Sequence, residues 1–397
     1  KEHQTRYLEK LGQTSKQREK GFLLWCHVAS VGEAMSILPL VYSFEKEKSI
    51  DKILITTITL SSSQILNKKF SQNKKIIHQF LPLDVPTFVN KFLNHWKPNL
   101  SIFIDSEIWP NLIFQIKKNK IPLLLINARI TNKTFIRWKF LKNFSKKIFE
   151  KFDLCLVADS KSEEHLKILG AKNVKSYGNL KFTNIKSDKK IELNEIIQRK
   201  ITNRKVWCAA STHPSEEIFC GKTHLFIKKS FDNILTVIIP RHIDRVSKIE
   251  KELSNLKLNI VLYSNFEKIN DNTDILLIDA YGETKKFYDI SKCVFLGKSL
   301  IKTLEKDSGQ NPVEPARLGC KIYHGPFISN FIEVYKYLNS LDVTKKVLNS
   351  EELGQFIVEE FINTREKDQG VITEIENYGQ NTLNNVLREI KIYINNE

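Results

Sequence analysis

Glycine is scarce in this chain, 14 of 397 residues. No G-x-G-x-x-G and no G-x-x-x-x-G-K-[ST] occurs, which argues against a nicotinamide dehydrogenase or a P-loop enzyme. The six cysteines (Cys26, Cys155, Cys208, Cys220, Cys293, Cys320) are scattered and form no C-x-x-C pair. They read as reduced core residues of a cytoplasmic protein. No apolar run approaches the roughly 18 residues of a membrane span, and no signal peptide is present. Neither a metal nor an organic cofactor is expected. His27, His213, His242 and His324 fall near strand ends, but H-E-x-x-H and paired Cys/His spacings are missing. A Ser-His-Asp hydrolase would lack its G-x-S-x-G elbow.

Positive charge, by contrast, is plentiful: the formal net charge is +17. Such a surface favours acidic partners, although part of the excess reads as a bias toward Lys, Ile and Asn. No RNP-like motif or zinc module accompanies it, so nucleic acid is not an expected partner. The stretch Arg137-Trp138-Lys139-Phe140-Leu141-Lys142 reads equally as a solvated amphipathic helix or as a contact for a membrane surface. The chain opens at Lys1 on a charged stretch, Lys1–Lys20, read as helical, and a segment is expected to precede it.

Short apolar runs alternate with amphipathic stretches throughout. In the first half Phe22–Ala29, Lys52–Thr57, Lys75–Leu81, Leu100–Ile104, Pro122–Asn127 and Leu154–Ala158 read as strands. Val206–Ala210, Leu235–Ile239, Ile260–Tyr263, Ile275–Ile278, Cys293–Leu296 and Lys321–Tyr323 repeat the pattern in the second. Alternation at this spacing predicts parallel sheets covered on both faces. The expected organisation is two doubly wound domains facing each other across a cleft, 1–183 and 184–372. The polar stretch 184–190 would link them, and C-terminal helices over 373–397 would pack back on the first domain.

Ligands of open α/β sheets bind beyond the carboxyl ends of the strands, and several motifs fall there. Ser30-Val31-Gly32-Glu33 follows the first run. It fits a capping box, in which Glu33 bonds back to the Ser30 N–H. It equally fits a site where Gly32 admits a substrate and Glu33 is a general base. Asp105-Ser106-Glu107 follows another run; one acid would cap the next helix, or the pair would bind acceptor hydroxyls and orient the base. Ser211, Thr212 and His213 suit a phosphate, as does Arg241, followed by His242. Gly282 and Glu283 would face a base or ribose. Asn311 and Glu314, one helical turn apart, would share a face and hold ribose hydroxyls.

Seven motifs in order carry a family resemblance: Ser30-Val31-Gly32-Glu33, Glu107-Ile108-Trp109-Pro110-Asn111-Leu112, Asn127-Ala128-Arg129, Gly178-Asn179-Leu180-Lys181-Phe182, Ala209-Ala210-Ser211-Thr212-His213, Ile239-Pro240-Arg241-His242 and Asn311-Pro312-Val313-Glu314-Pro315-Ala316. In these the chain resembles the 3-deoxy-D-manno-octulosonate (Kdo) transferases of lipopolysaccharide assembly. The resemblance implies an α/β GT-B glycosyltransferase of two Rossmann-like domains. It implies inverting, metal-independent transfer of Kdo from CMP-Kdo to a lipid A precursor at the cytoplasmic face of the inner membrane. Glu33 would be the base and Glu107 would support the acceptor side, with Ser30, Gly32 and Arg129. The donor would meet Ser211, Thr212, His213, Arg241, His242, Gly282, Glu283, Asn311 and Glu314. Such proteins usually begin with a hydrophobic anchor, not seen here. Gln310 stands where His is common, and Lys298 where Gly is common. The competing reading is another GT-B protein, such as a UDP-sugar epimerase or a lipid-linked glycosyltransferase.

Overall fold

The computed structural model describes residues 3–183, 193–363 and 367–395, with the backbone alone at 306 and 307. The stretch 184–190, expected to be a linker, lies outside them. The chain divides into two compact units, Lys1–Ile185 with Asn377–Glu397, and Lys186–Glu376.

The first unit is built on β1 (Leu23–His27), β2 (Lys52–Thr57), β3 (Ile76–Phe80), β4 (Leu100–Ile104), β5 (Leu123–Ala128), β6 (Leu154–Val157) and β7 (Val174–Ser176). They form one sheet in the order β3-β2-β1-β4-β5-β6-β7, every pair parallel. Side chains alternate across a strand. Leu23 and Trp25 therefore join a core with Leu54, Phe103 and Leu125 on one face. Leu24 and Cys26 join another with Ile53, Ile102 and Leu124. Burial on both faces explains the near-continuous apolar runs.

The second unit holds β8 (Lys205–Thr212), β9 (Ile234–Pro240), β10 (Ile260–Leu262), β11 (Ile275–Leu277), β12 (Cys293–Leu296), β13 (Lys321–His324) and β14 (Thr344–Lys346). Their order is β10-β11-β9-β8-β12-β13-β14, again parallel throughout. The two sheets are not copies: β11 is inserted between β9 and β10. In each, the winding reverses beside the first strand, between β1 and β4 and between β8 and β12. Such reversals open a crevice at the carboxyl ends of the strands.

One expectation is corrected. The described residues of the stretch Lys1–Lys20 do not form the expected helix; they hold one 3₁₀ turn, Tyr7–Leu11, which stops at Gly12 in the left-handed region. The C-terminal segment is a single helix, Gln369–Asn395. Its first turns belong to the second unit and the rest to the first, where Leu383, Val386, Ile390 and Ile394 enter the core of Leu24 and Ile53. All six cysteines are buried and unbridged. No helix among the described residues is long and apolar enough to cross a membrane.

Candidate active site

The crevice of the first sheet carries the acids. Ser30 stands just beyond β1 and caps the helix Val31–Ser36. The capping box forms with one change: Glu33 accepts the N–H of Ala29 at 2.7 Å and the Ser30 hydroxyl at 2.8 Å. The box does not exclude a second role. Burial, opposed by these two bonds and reinforced by the charges of Glu107 and Asp105, pushes the Glu33 carboxyl up to about 7. A carboxylate titrating there is matched to general-base work. A Cβ on Gly32 would meet only Ser30 Oγ, at 3.9 Å. The protein's own packing therefore does not demand glycine at this exposed position.

Neither acid after β4 caps the following helix. That work falls to Asp84, which accepts the N–H of Asn111 at 3.1 Å and of Leu112 at 2.8 Å. Glu107 is left facing the crevice, its Oε2 held by the Trp109 indole at 2.7 Å and by His27 Nε2 at 3.2 Å. Asp105 adopts φ 60°, a left-handed turn that Asp tolerates better than most residues. Burial raises its carboxyl, against the cations Lys181 and Arg129. Lys181 is in turn lowered by burial, with Asp105 and Glu33 opposing. A bulge explains how Arg129 arrives: the register of β5 shifts between Ile126 and Ala128, and Asn127 turns at φ 54°. Asn127 Oδ1 then accepts the Leu180 N–H at 2.9 Å. Two separate sequence motifs are thereby fastened together, and Lys181 follows directly.

The crevice of the second sheet carries cations. Ser211 takes φ 56° at a bulge of β8. Thr212 is fully buried, and its hydroxyl has no partner among the described residues. His213 Nδ1 donates to the Ser211 carbonyl at 3.1 Å. Burial, together with the nearby charges of Lys298, His242 and Arg241, lowers the His213 pKa. The neutral ring therefore keeps Nε2 as an acceptor. The ring of His242 lies edge-on to it, with centroids 5.9 Å apart. Beyond β9 two arginines differ. Arg245 is spent on Glu217 in a two-bond fork at 2.9 and 3.1 Å, whereas Arg241 is exposed.

Glu216 was not anticipated. Its fully buried carboxylate accepts the N–H groups of His213 (3.0 Å), Lys298 (2.7 Å), Ser299 (2.9 Å) and Leu300 (3.0 Å). The loop after β12 thus gives three of these amides, and the turn after β8 the fourth, to a carboxylate of the protein itself. Gly297 makes the approach possible: a Cβ there would fall 2.6 Å from the Ser211 carbonyl and 2.7 Å from Glu216 Oε2. Gly282 takes φ 89° with open space around it. Glu283 accepts from the Tyr263 hydroxyl at 2.8 Å and pairs with Lys286 at 2.7 Å. Asn311 does not share a helical face with Glu314. The helix begins at Val313, and Asn311 Oδ1 precedes it as an acceptor for the Val313 N–H at 3.1 Å. Its Nδ2 group remains to donate.

A family model described as 3-deoxy-D-manno-octulosonic-acid transferase (kdotransferase) matches residues 5–184. The 3-deoxy-D-manno-octulosonic acid transferase of Rickettsia bellii is 33% identical over 399 residues, 99% of this chain and 90% of its own. The chain belongs to the 3-deoxy-D-manno-octulosonic acid transferase family. The Haemophilus influenzae relative is 29% identical, covering 86% of this chain and 80% of its own. Among solved structures, a glycosyltransferase from Rickettsia africae superposes with a TM-score of 0.59 at 12% identity, covering 96% of this chain and all of that one. A UDP-GlcNAc 2-epimerase from Neisseria meningitidis gives 0.58 at 13%, covering 94% and 100%. These two show the fold alone: an α/β GT-B architecture with Rossmann-like, doubly wound units.

Membership makes this chain a glycosyltransferase enzyme. Ser30, Gly32, Glu33, Glu107 and Arg129 all lie beyond β1, β4 and β5. His27 and Lys181 join them there without having been singled out as site residues. Lys181 had a visible signal, its place in an ordered motif. His27 had only its position at the end of a strand.

Proposed function

We propose that this Kdo transferase moves Kdo from CMP-Kdo to a hydroxyl of a tetraacylated lipid A precursor, with inversion and without a metal. The observation that carries the reading is Glu33, a half-buried carboxylate raised to about 7 and grouped with Glu107 and Asp105. Its ionised form takes the proton from the acceptor hydroxyl as that oxygen bonds to the anomeric carbon of Kdo. The bond from that carbon to the CMP phosphate oxygen breaks in the same displacement, so the configuration inverts and CMP leaves with the electron pair. Ser30 holds Glu33; Gly32 leaves space for the acceptor; Glu107 accepts a hydroxyl, and Arg129 meets acceptor phosphate.

The donor is assigned to the second unit. Arg241 and the field of Lys298 and His242 support a phosphate site. Ser211 adds a hydroxyl, and Thr212 shapes the bulge. His213 Nε2 suits a donor hydroxyl better than the phosphate. Gly282, Glu283, Asn311 and Glu314 take the nucleoside, with Asn311 Nδ2 as the donor group toward a ribose oxygen.

The site of action we assign is the cytoplasmic face of an anionic inner membrane. Over residues 132–149 all six basic side chains are exposed and no acid interrupts them. Ile136 (65% exposed), Phe140 (89%), Leu141 (49%) and Phe144 (41%) stand among them. Cations interleaved with exposed apolar side chains suit lipid headgroups and the acyl boundary beneath. Mass spectrometry of the lipid after incubation with CMP-Kdo and chelator tests the whole reading. A gain of Kdo with release of CMP is expected; an unmodified lipid, or transfer only from a UDP-sugar, would refute it.

A further inference from the structure

His27 closes β1 with its ring fully buried. An imidazole there is costly unless both nitrogens are served. Nδ1 lies 3.0 Å from the Thr56 hydroxyl and 3.2 Å from the Thr56 carbonyl. Nε2 lies 3.2 Å from Glu107 Oε2. The polarity of the chain is set at its far end. The Trp25 indole can only donate, and it donates to Thr56 Oγ1 at 2.9 Å. The Thr56 proton is therefore available to His27 Nδ1, which leaves Nε2–H to donate to Glu107. Trp109 donates to the same Glu107 oxygen, and Oε1 keeps no partner among the described residues. Phe103 packs edge-on against the ring, 5.5 Å between centroids.

We propose that His27 is a positioning residue for Glu107: its Nε2–H carries the rigidity of the sheet to a carboxylate that sits on a loop. Held between His27 and Trp109, Oε2 is fixed, while Oε1 is turned to the acceptor. This role rests on the transfer reading above. It also has a consequence for the base. Glu107 and Asp105 are the acids that help raise Glu33, and Lys181 is the cation facing Glu33. Arg129 and Asp159 act on Asp105 in turn. Freeing Glu107 to move away takes one of the two acids from Glu33, so the acid limb of the rate profile is expected to fall to lower pH.

Kdo transfer is compared in wild type, His27→Gln, His27→Leu and Thr56→Val. The wild-type rate tests the transfer reading; the ratios test the positioning role. His27→Leu is expected to lose about 10- to 100-fold in kcat, the equivalent of one hydrogen bond to a charged group. Its KM for CMP-Kdo stays in place and its acid limb moves down. His27→Gln keeps an N–H and restores most of the rate and the limb. Thr56→Val shows the same trend more weakly and remains readable if His27→Leu does not fold. Equal losses in the Gln and Leu variants with an unmoved limb would overturn the proposal, as would a wild-type rate in Leu. Nitrogen NMR of labelled histidine reads the same bond without turnover. Nε2 is expected to carry the proton of the neutral ring and to shift its resonance in Glu107→Gln; a bare Nε2 in the wild type would also overturn it.

Discussion

The Glu216 carboxylate accepts the backbone N–H of Lys298 at 2.7 Å across 82 residues of chain. With His213, Ser299 and Leu300 as further donors, it locks the loop after β12 to the start of the helix Glu216–Lys228. Burial raises this carboxyl and the four donors oppose the rise. Glu216→Ala would leave those amides without their acceptor. The expected loss is about 3 kcal/mol or more in urea unfolding, with a higher KM for CMP-Kdo. A variant as stable as wild type would show that water replaces the carboxylate.

Glu33→Gln is expected to lower transfer by roughly 100- to 10,000-fold while CMP-Kdo still binds. In the wild type, kcat/KM should fall as pH drops through about 7, where Glu33 becomes protonated. An unaltered rate in the variant would remove the base assignment.

The same carboxyl should register in stability. Its folded pKa of about 7 lies above the ordinary 4.5, so between these values the folded protein binds more protons than the unfolded chain. The stabilising influence of the protonated form is present below about 4.5 and is lost as pH rises through about 7. Glu33→Gln should therefore gain on wild type across that window and hold its advantage above it. Unfolding curves at three pH values would read this, and parallel profiles for the two proteins would contradict it.

Arg241→Ala is expected to raise the KM for CMP-Kdo by about 10-fold or more, as loss of one charge-assisted phosphate contact predicts. The KM for the lipid should stay where it was. Kinetics with the donor varied at saturating lipid decide it; an unchanged donor KM would take Arg241 out of the phosphate site.

Charge reversal at Arg137 and Lys139 should weaken binding to vesicles containing an anionic lipid by about 30-fold or more, at about 1 kcal/mol per cation removed. Phe140→Ser should weaken it further, and vesicles of neutral lipid should bind poorly throughout. Equal cosedimentation of variant and wild type would move the membrane contact elsewhere.

Strands written as apolar runs were legible, and every one read from the sequence has a counterpart in the two sheets. The two that were missed, β7 and β14, are sheet edges. Val174-Lys175-Ser176 and Thr344-Lys345-Lys346 carry lysines and lack an apolar run, as exposed edges tend to. The helical stretches after β1 and after β5 are each divided, at Ile37 and at Leu141; the first break precedes Pro39, which suits an opening turn. At the site, residues that follow their strand immediately could be found. Glu216, His27 and Asp84 could not, because their partners are brought together only by the sheet. The capping box at Glu33 shows the opposite limit: the box forms with the Ala29 N–H in place of the Ser30 N–H, and the pattern left the chemistry undecided.

The helix Gln369–Asn395 supplies Leu383, Val386, Ile390 and Ile394 to the core around Leu24. On the ribosome, β1 emerges long before this helix, so part of the apolar face of its sheet stays uncovered until these residues follow. At translation rates of 5–20 residues per second, the interval is roughly 20 to 70 s. The unit that is made first is therefore the last to be finished, and its unfinished face is what a chaperone would meet.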